Sequence, residues 1–345
     1  MKIVTEKLAG WRDNYLPQEG LGKVIVIVIC LYLLAAVLLG MYWSIEPKPF
    51  DVRAKAQALA AEDGGTVVTG SVTTGALIGV VQTLLDKPGG YTHNDKFPPG
   101  VWLDNMPNWE YGVLIQVRDM SRALREVFSR SQSQSTEDVD LVEMEPRFNF
   151  NSDSWILPSS ESEYRDGLKY AHEYFDRLSD KNAPGAQFYA RSDSLRYYLS
   201  AVDSRLGSLS QRLSASVGKA RLNTDLAGDA DAAQSTETPI EQKVRTPWSE
   251  TDDVFYEARG TAWALILFLK AVEVDFADVL AKKNAKVSLQ QIIRELEGTQ
   301  ETVWSPMILN GSGFGPLANH SLVMASYLSR ANAAIVDLRD LLSQG

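Results

Sequence analysis

The sequence has few metal-binding residues, and its charge balance disfavours nucleic acid. One cysteine and three histidines among 345 residues provide no clustered ligands for zinc or haem and no internal disulfide. Acidic residues outnumber lysine and arginine by 44 to 34, a net charge of −10, whereas nucleic-acid binding needs a clustered basic surface. We therefore predict no metal, no cofactor and no nucleic-acid partner.

Hydrophobic residues make up 45% of the chain, which excludes disorder throughout. They are concentrated in residues 24–43, VIVIVICLYLLAAVLLGMYW, an uncharged run that includes Cys30. At about 1.5 Å per residue this run spans the roughly 30 Å core of a lipid bilayer. The alternatives are a buried core helix and a signal peptide, but the run exceeds a signal core and no small-residue cleavage site follows it. We predict one transmembrane helix.

The flanks of this run suggest how it sits in the membrane. Lys23 precedes it, and Tyr42 and Trp43 close it with interfacial aromatic side chains. Four basic residues precede the helix and three follow it closely, a small bias that places residues 1–23 in the cytoplasm. Residues 44–345, with 30 basic and 41 acidic residues, would then lie outside the cytoplasm, and we expect anionic lipid headgroups to repel their net charge.

Beyond residue 44 the apolar residues recur at steps of three and four, the helical period. Apolar neighbours widen each stripe, which favours a globular helical bundle over intermolecular coiled coils. Shorter helices are predicted at 51–62, 71–86 and 288–297. Ser160 with Glu163 has capping-box spacing, and Pro316 suits a first helical turn. The five long stripes run through residues 113–127, 164–178, 195–213, 255–279 and 317–342.

Three segments depart from this pattern. Residues 88–112 carry four prolines, four glycines and five aromatic residues, and we expect them to fold back onto the bundle as an ordered strap. Residues 139–151 contain two alternating runs that permit a small β-hairpin. Residues 222–247 have no aromatic residue and few large apolar ones, a composition that predicts a mobile linker.

No catalytic template matches the chain. Glu161-Ser162 resembles the Glu-Ser start of lytic transglycosylases, but the downstream element of that family is missing, and Glu161 is equally explained by helix capping. The loop 310–315, NGSGFG, precedes a predicted helix and is either a flexible connection between two helices, the favoured interpretation, or an anion site formed by backbone N–H groups. The strap mixes polar groups with aromatic walls, as ligand pockets and partner contacts do; the alternative is that its aromatic side chains serve only to lock it onto the bundle. The candidate contacts are His93, Asp95, Trp102, Asp104, Trp109 and Glu110.

The strap and the two residues before it contain a distinctive series of short motifs. The motifs are Asp86-Lys87-Pro88-Gly89-Gly90-Tyr91, Asn94-Asp95, Pro98-Pro99-Gly100 and Leu103-Asp104-Asn105-Met106-Pro107-Asn108-Trp109-Glu110. They resemble the signature of a family of uncharacterised single-pass inner-membrane proteins of gammaproteobacteria, classed as a domain of unknown function. The resemblance runs over nearly the whole chain and implies a bacterial inner-membrane location with a periplasmic bulk; it implies no catalytic residues.

The sequence therefore favours a mainly α protein, with one transmembrane helix and a periplasmic helical bundle. We predict a non-enzymatic scaffold or assembly component of the cell envelope, associating with itself or with another envelope protein. The alternatives are a periplasmic ligand-binding or sensory module and a cell-wall glycan hydrolase.

Overall fold

The computed structural model describes residues 20–62, 64–131, 136–180, 185–222, 241–305, 307–312 and 315–344. Within these residues the chain is mainly helical, which confirms the predicted fold class. The helices are α1 (Gly20–Trp43), α2 (Val52–Glu62), α3 (Ser71–Asp86), α4 (Asn105–Ala123), α5 (Val139–Phe148), α6 (Ser160–Ser179), α7 (Ser192–Ser214), α8 (Thr251–Asp275), α9 (Ala277–Lys282), α10 (Lys286–Gly298) and α11 (His320–Ser343).

The five predicted stripes all fall on helices, with local differences at their ends. The stripe 255–279 continues from α8 across a break at Phe276 into α9. Helix α11 starts at His320 rather than near Pro316, because the Asn319 side chain caps it by accepting the backbone N–H of Leu322 at 2.9 Å. Likewise α6 is capped by Ser159, one residue before the predicted Ser160.

The predicted β-hairpin at 139–151 is wrong, because helix α5 occupies residues 139–148. Leu141, Met144 and Phe148 are all buried, and their steps of three and four match one helix face rather than one strand face. The two strands of the described chain lie elsewhere: β1 (Lys219–Leu222) pairs antiparallel with β2 (Glu241–Val244). They flank most of the predicted linker 222–247, of which residues 223–240 lie outside the described residues.

Helix α8 is the centre of the bundle. Its residues 258–269 are all buried, and it packs against α3, α4, α10 and α11. Each fully buried large apolar side chain contributes roughly 1.5–3 kcal/mol. At the crossing of α8 and α4, a Cβ on Gly260 would lie 1.9 Å from the Trp109 carbonyl oxygen, and one on Gly112 would lie 2.1 Å from that of Glu257. Only glycine allows the two backbones to approach this closely.

Helix α1 differs from the others in exposing its apolar side chains. The most apolar 18-residue window within residues 22–43 has a mean hydropathy of 3.1, and only 11% of that window is buried. This exposure excludes the core-helix alternative; length and composition fit a membrane anchor or a signal sequence near the N-terminus. Two positions on α1 are buried, Ala36 and Gly40. A Cβ on Gly40 would lie 3.6 Å from Leu103 and 3.7 Å from Pro99, so the strap packs on this face.

The strap itself is more helical than its proline and glycine content predicts. Its last eight residues, 105–112, are the first two turns of α4. Pro107 sits in the first turn, where the missing N–H costs no helical hydrogen bond. The preceding residues, 88–104, are irregular apart from a 3₁₀ turn at Gly100–Trp102.

Candidate functional site

The strap is organised around the carboxylate of Glu110, a fully buried side chain on α4. Its oxygens accept the backbone N–H of Thr92 at 2.9 and 3.0 Å and that of His93 at 2.8 Å. The Thr92 hydroxyl donates a further bond of 2.9 Å. Buried carboxylates need such donors, because desolvation of an unpaired charge costs several kcal/mol.

Lys87 supplies the opposite charge. Its ammonium lies 2.5 Å from a Glu110 oxygen, and the two side chains are 1% and 0% exposed. The same ammonium donates to the Gly90 carbonyl. Since Lys87 directly follows α3, this buried pair ties the end of α3 to the start of α4 and closes the strap between them. Glu110 is therefore engaged on all sides by the protein's own groups.

His93 fills the space between the strap and α4. Its ring stacks on Tyr111 with the centroids 5.7 Å apart and the planes 13° apart. Nδ1 lies 3.0 Å from the Pro107 carbonyl oxygen, and Nε2 lies 3.0 Å from an Asp153 oxygen. Both ring nitrogens have partners, which fixes the ring in one orientation.

Asp95 is a half-buried carboxylate of the strap that lies near two other acidic residues. Burial, together with the negative charges of Glu110 and Glu161, raises its pKa to about 6 despite the opposing charge of Lys87. Glu161 itself accepts a hydrogen bond of 2.9 Å from Asn94. Asp95, Glu110 and Glu161 therefore form one acidic group around the strap, and the buried Lys87 ammonium is bonded directly to Glu110 alone among them.

The segment 152–157 lies along the strap and is bonded to it. Tyr91 donates to the Ser152 carbonyl at 3.2 Å, and the Asn94 amide donates to that of Ser154 at 2.7 Å. Beyond Ser154, Trp155 makes an edge contact with Phe97 at a centroid distance of 5.7 Å. The strap and residues 152–157 thus form one surface.

The six candidate residues do not converge on one pocket. Trp109 is fully buried, and its ring packs against Trp263 of α8 at 5.1 Å between centroids. Trp102, in contrast, is 52% exposed. His93, Asp95 and Glu110 lie together, whereas Asp104 joins a different group. A role of these residues in ligand or partner contact stays a prediction.

Asp104 meets two acidic residues at the start of α8. The carboxylates of Asp104, Asp252 and Asp253 lie within 4.8 Å of one another, the arrangement within the described residues that could hold a metal ion. Burial and the negative charges of Asp104 and Asp252 raise the pKa of Asp253 to about 6. Two features oppose this repulsion: the dipole at the start of α8 stabilises negative charge, and the Asn108 amide donates to Asp253 at 2.7 Å. Such exposed acidic groups are common without an ion.

A second contact joins the segment after α1 to the bundle. Arg259 of α8 binds the Glu46 carboxylate through Nε at 3.0 Å and Nη2 at 2.8 Å. Its Nη1 donates to the carbonyls of Thr299 and Glu301, both at 2.9 Å. The Arg259 and Glu46 side chains are 7% and 21% exposed. Glu46 follows the last residue of α1 by three positions, so α1 is held close to the bundle.

An apolar groove of about 350 Å³ opens beside Arg259. Phe255, Trp304 and Tyr327 form part of its walls, and Trp304 is 91% exposed at the edge. His320 also lines it, and its Nδ1 accepts the backbone N–H of Leu309 at 2.9 Å. The predicted anion loop 310–315 lies next to this region, and its residues 313–314 fall outside the described residues.

Sequence reasoning missed the buried Lys87, the Arg259 contact with Glu46 and the groove. Neither charge pair has a sequence signal, because the partners lie 23 and 213 positions apart. The surface at residues 152–157 was also missed, although it does have a sequence signal. Trp155, Ile156 and Leu157 are three consecutive large apolar residues outside every helical stripe.

The comparisons with known proteins identify a family. The chain belongs to DUF2333, described as an uncharacterized protein conserved in bacteria, whose model matches residues 17–345. This confirms the resemblance to an uncharacterised bacterial family, although the match does not narrow the source to gammaproteobacteria. Neither the curated proteins nor the solved structures gave a match.

Proposed function

We propose that this member of DUF2333 is a membrane-anchored envelope protein, whose helical bundle acts in the periplasm as a non-enzymatic scaffold or assembly component. Helix α1 would span the inner membrane with residues 1–23 in the cytoplasm. The charge bias around α1 and the apolar run 24–43 support this orientation.

One observation carries the proposal: the helical bundle makes direct contacts with α1 and with the residues just after it, in addition to the covalent connection. The strap packs against Gly40 of α1, and Arg259 binds Glu46 just after α1 ends. Retention of α1 explains these contacts, whereas removal of α1 as a signal sequence would uncover Leu103 and Pro99. A fixed orientation at the membrane suits a component that presents one face to a neighbour.

The polar residues of the strap support a structural role. Glu110 is one of two candidate acids for a glycan hydrolase, but its carboxylate is bonded to Lys87 and to the backbone of residues 92 and 93. Glu161, the second candidate acid, receives the Asn94 amide. These contacts hold the strap in place.

Photo-crosslinking in intact membranes tests the proposal. A photoreactive amino acid replaces Trp304, which is 91% exposed at the groove, and in a matched protein it replaces Lys169, an exposed residue of α6. We expect discrete products at position 304, identified by mass spectrometry as this chain or as an envelope protein, and fewer at position 169. A protein that yields no products at either position and sediments as a monomer would contradict a scaffold.

The groove also supports a second candidate function, a periplasmic ligand-binding or sensory module. Its aromatic walls include His320 as a polar group, and the neighbouring Arg259 is held in place by its bonds to Glu46 and to two backbone carbonyls. Thermal shift of the full chain in detergent with cell-wall fragments, lipids and small anions tests this. A ligand that raises the melting temperature of the native protein but not of a Trp304→Ala variant would support it; no response from a folded protein would refute it for these ligands.

A further inference from the structure

The strap and the segment 152–157 expose an unusual set of large apolar side chains. Six of them are between 47% and 90% exposed, and they belong to two segments that meet at the Phe97 and Trp155 rings. Large exposed apolar surfaces on a folded domain mark contact with a membrane or a partner. The six are Phe97, Val101, Trp102, Trp155, Ile156 and Leu157.

Their position next to α1 identifies what covers them. Gly40, which contacts Pro99 and Leu103, lies about 4.5 Å along the helix axis below Trp43. Tyr32 lies about 16 Å below Trp43, and its hydroxyl donates to the Pro98 carbonyl at 3.4 Å. The strap therefore follows α1 below the level of Trp43, the residue predicted to mark the membrane surface.

We propose that this surface, which we call the wedge, inserts into the outer leaflet of the bilayer beside α1. The inference rests on the proposed function, because it requires α1 to span the membrane. The wedge residues adjoin Pro98 and Pro99, which lie against α1, and the apolar side chains of α1 are themselves exposed, so the occupant is lipid rather than a second protein. The chain thus contacts the membrane through one spanning helix and one interfacial surface.

The chemistry of the wedge fits the interfacial zone. Trp102 and Trp155 are the residue type enriched at the boundary between headgroups and acyl chains. Lys96 is exposed beside Phe97, and its long side chain can extend to the headgroups. Asp104 and Asp153 flank the wedge and are exposed, which places the two ends of the wedge among the headgroups.

Leu157 is the wedge residue whose exposure to water would be least favourable. It is 90% exposed and has a φ of 60°, a left-handed conformation that is rare for a bulky side chain. In lipid its exposure is favourable. The Tyr32 contact agrees, because a hydroxyl below the membrane surface needs a protein acceptor, and the Pro98 carbonyl supplies it. The net negative charge outside the membrane does not oppose insertion, since the wedge itself exposes apolar groups and Lys96.

Spin-label accessibility in the full-length protein, reconstituted in phosphatidylcholine vesicles, tests the wedge. The native Cys30 reports on α1. In a Cys30→Ala background, Leu157→Cys and Trp102→Cys report on the two segments of the wedge. Val287→Cys is the matched control, because Val287 is 74% exposed and lies away from α1. Its neighbour Lys286 pairs with Glu273 of α8. Glu273 is about 21 Å further along α8 than Arg259, the residue that binds the segment after α1.

We expect labels at 30, 157 and 102 to collide readily with oxygen, and to be several-fold less accessible than the label at 287 to a water-soluble nickel complex. Circular dichroism verifies that each variant is folded. If the labels at 157 and 102 are as accessible to nickel as that at 287 while Cys30 is in lipid, the wedge is refuted and the anchor stands. If Cys30 is also accessible to nickel, α1 does not span the membrane and the proposed function fails with it.

Discussion

Helices α4 and α8 cross in direct backbone contact at Gly112 and Gly260, whereas the irregular part of the strap, residues 88–104, is held around the Glu110 carboxylate. The crossing is apolar, with Trp109 against Trp263. The strap depends on a buried charge pair and on hydrogen bonds. Two neighbouring regions are therefore held by different forces, and they should respond differently to substitution and to pH.

The largest effect is expected from Glu110→Gln. The substitution leaves the buried Lys87 ammonium without its counter-charge, and breaking a buried pair costs about 3–5 kcal/mol of unfolding free energy. The matched control is Glu173→Gln, which breaks an exposed pair with Lys169 and should cost less than about 0.5 kcal/mol. Chemical denaturation of the detergent-solubilised chain measures both. Equal effects would show that the strap does not depend on the buried charge.

Gly260→Ala tests the crossing itself. The new Cβ would overlap the Trp109 carbonyl, and because this neighbour is backbone, we expect a cost of about 2–3 kcal/mol. Gly207→Ala in α7 is the control, since its Cβ would meet only the Asn332 side chain at 3.6 Å. Alanine should stabilise that helix by up to about 1 kcal/mol. A neutral Gly260→Ala would mean that the two helices can move apart at little cost.

Arg259→Lys tests whether the contact with Glu46 holds the bundle in a fixed orientation relative to α1. Lysine keeps the charge but loses the two-point contact with Glu46 and the bonds to the Thr299 and Glu301 carbonyls, so we expect a loss of about 1–2 kcal/mol. Arg212→Lys, at an equally bidentate but more exposed pair with Glu257, should lose less than about 1 kcal/mol. Denaturation midpoints compare the two, and similar losses would argue against a special role for Arg259.

The smallest effect, and one of opposite sign, is expected from Asp95→Asn. The pKa of Asp95 is raised in the folded protein to about 6, so ionisation disfavours the fold, and the wild type loses stability as pH rises from about 4 to about 6. Asparagine removes this loss. The variant should therefore be more stable above about pH 6, by less than about 1 kcal/mol because the side chain is partly exposed, and should gain nothing from this effect near pH 4.

Asp51→Asn is the control for the sign of this dependence. The backbone N–H groups of Ala54 and Arg53 lower the pKa of Asp51, so its ionised form stabilises the fold at neutral pH, and that contribution disappears as pH falls through the lowered pKa. Melting temperatures across pH should therefore show opposite trends for the two variants. The same trend in both would refute the assignment for Asp95.

The helices were predictable because their signals are local. Helix α3 begins and ends where the sequence predicts, at residues 71 and 86, and α10 extends only two residues before and one beyond 288–297. The error at 139–151 also has a local cause, since its short apolar spacing fits both a strand and a helix. The burial of Leu141, Met144 and Phe148 against the bundle resolved it in favour of α5.

The strap was predictable as a unit but not in its parts. Its composition indicated an ordered segment, yet Trp109 and Trp102 look alike in sequence, and only the fold places one in the core and the other 52% exposed. Likewise, nothing local distinguishes the fully buried Glu110 from the exposed Asp104. Their environments depend on Lys87 in one case and on Asp252 and Asp253 in the other.

The sequence alone determined the apolar helix at 24–43, the helical bundle and the shortage of metal ligands, because length, periodicity and composition are properties of the chain itself. The tertiary structure decided which charges are buried, how closely α4 and α8 approach, and that the strap lies against α1. These depend on distance in space between residues far apart in the chain. Burial and pairing set the energies of such groups, so the same side chain can be a surface charge or the centre of a folded loop.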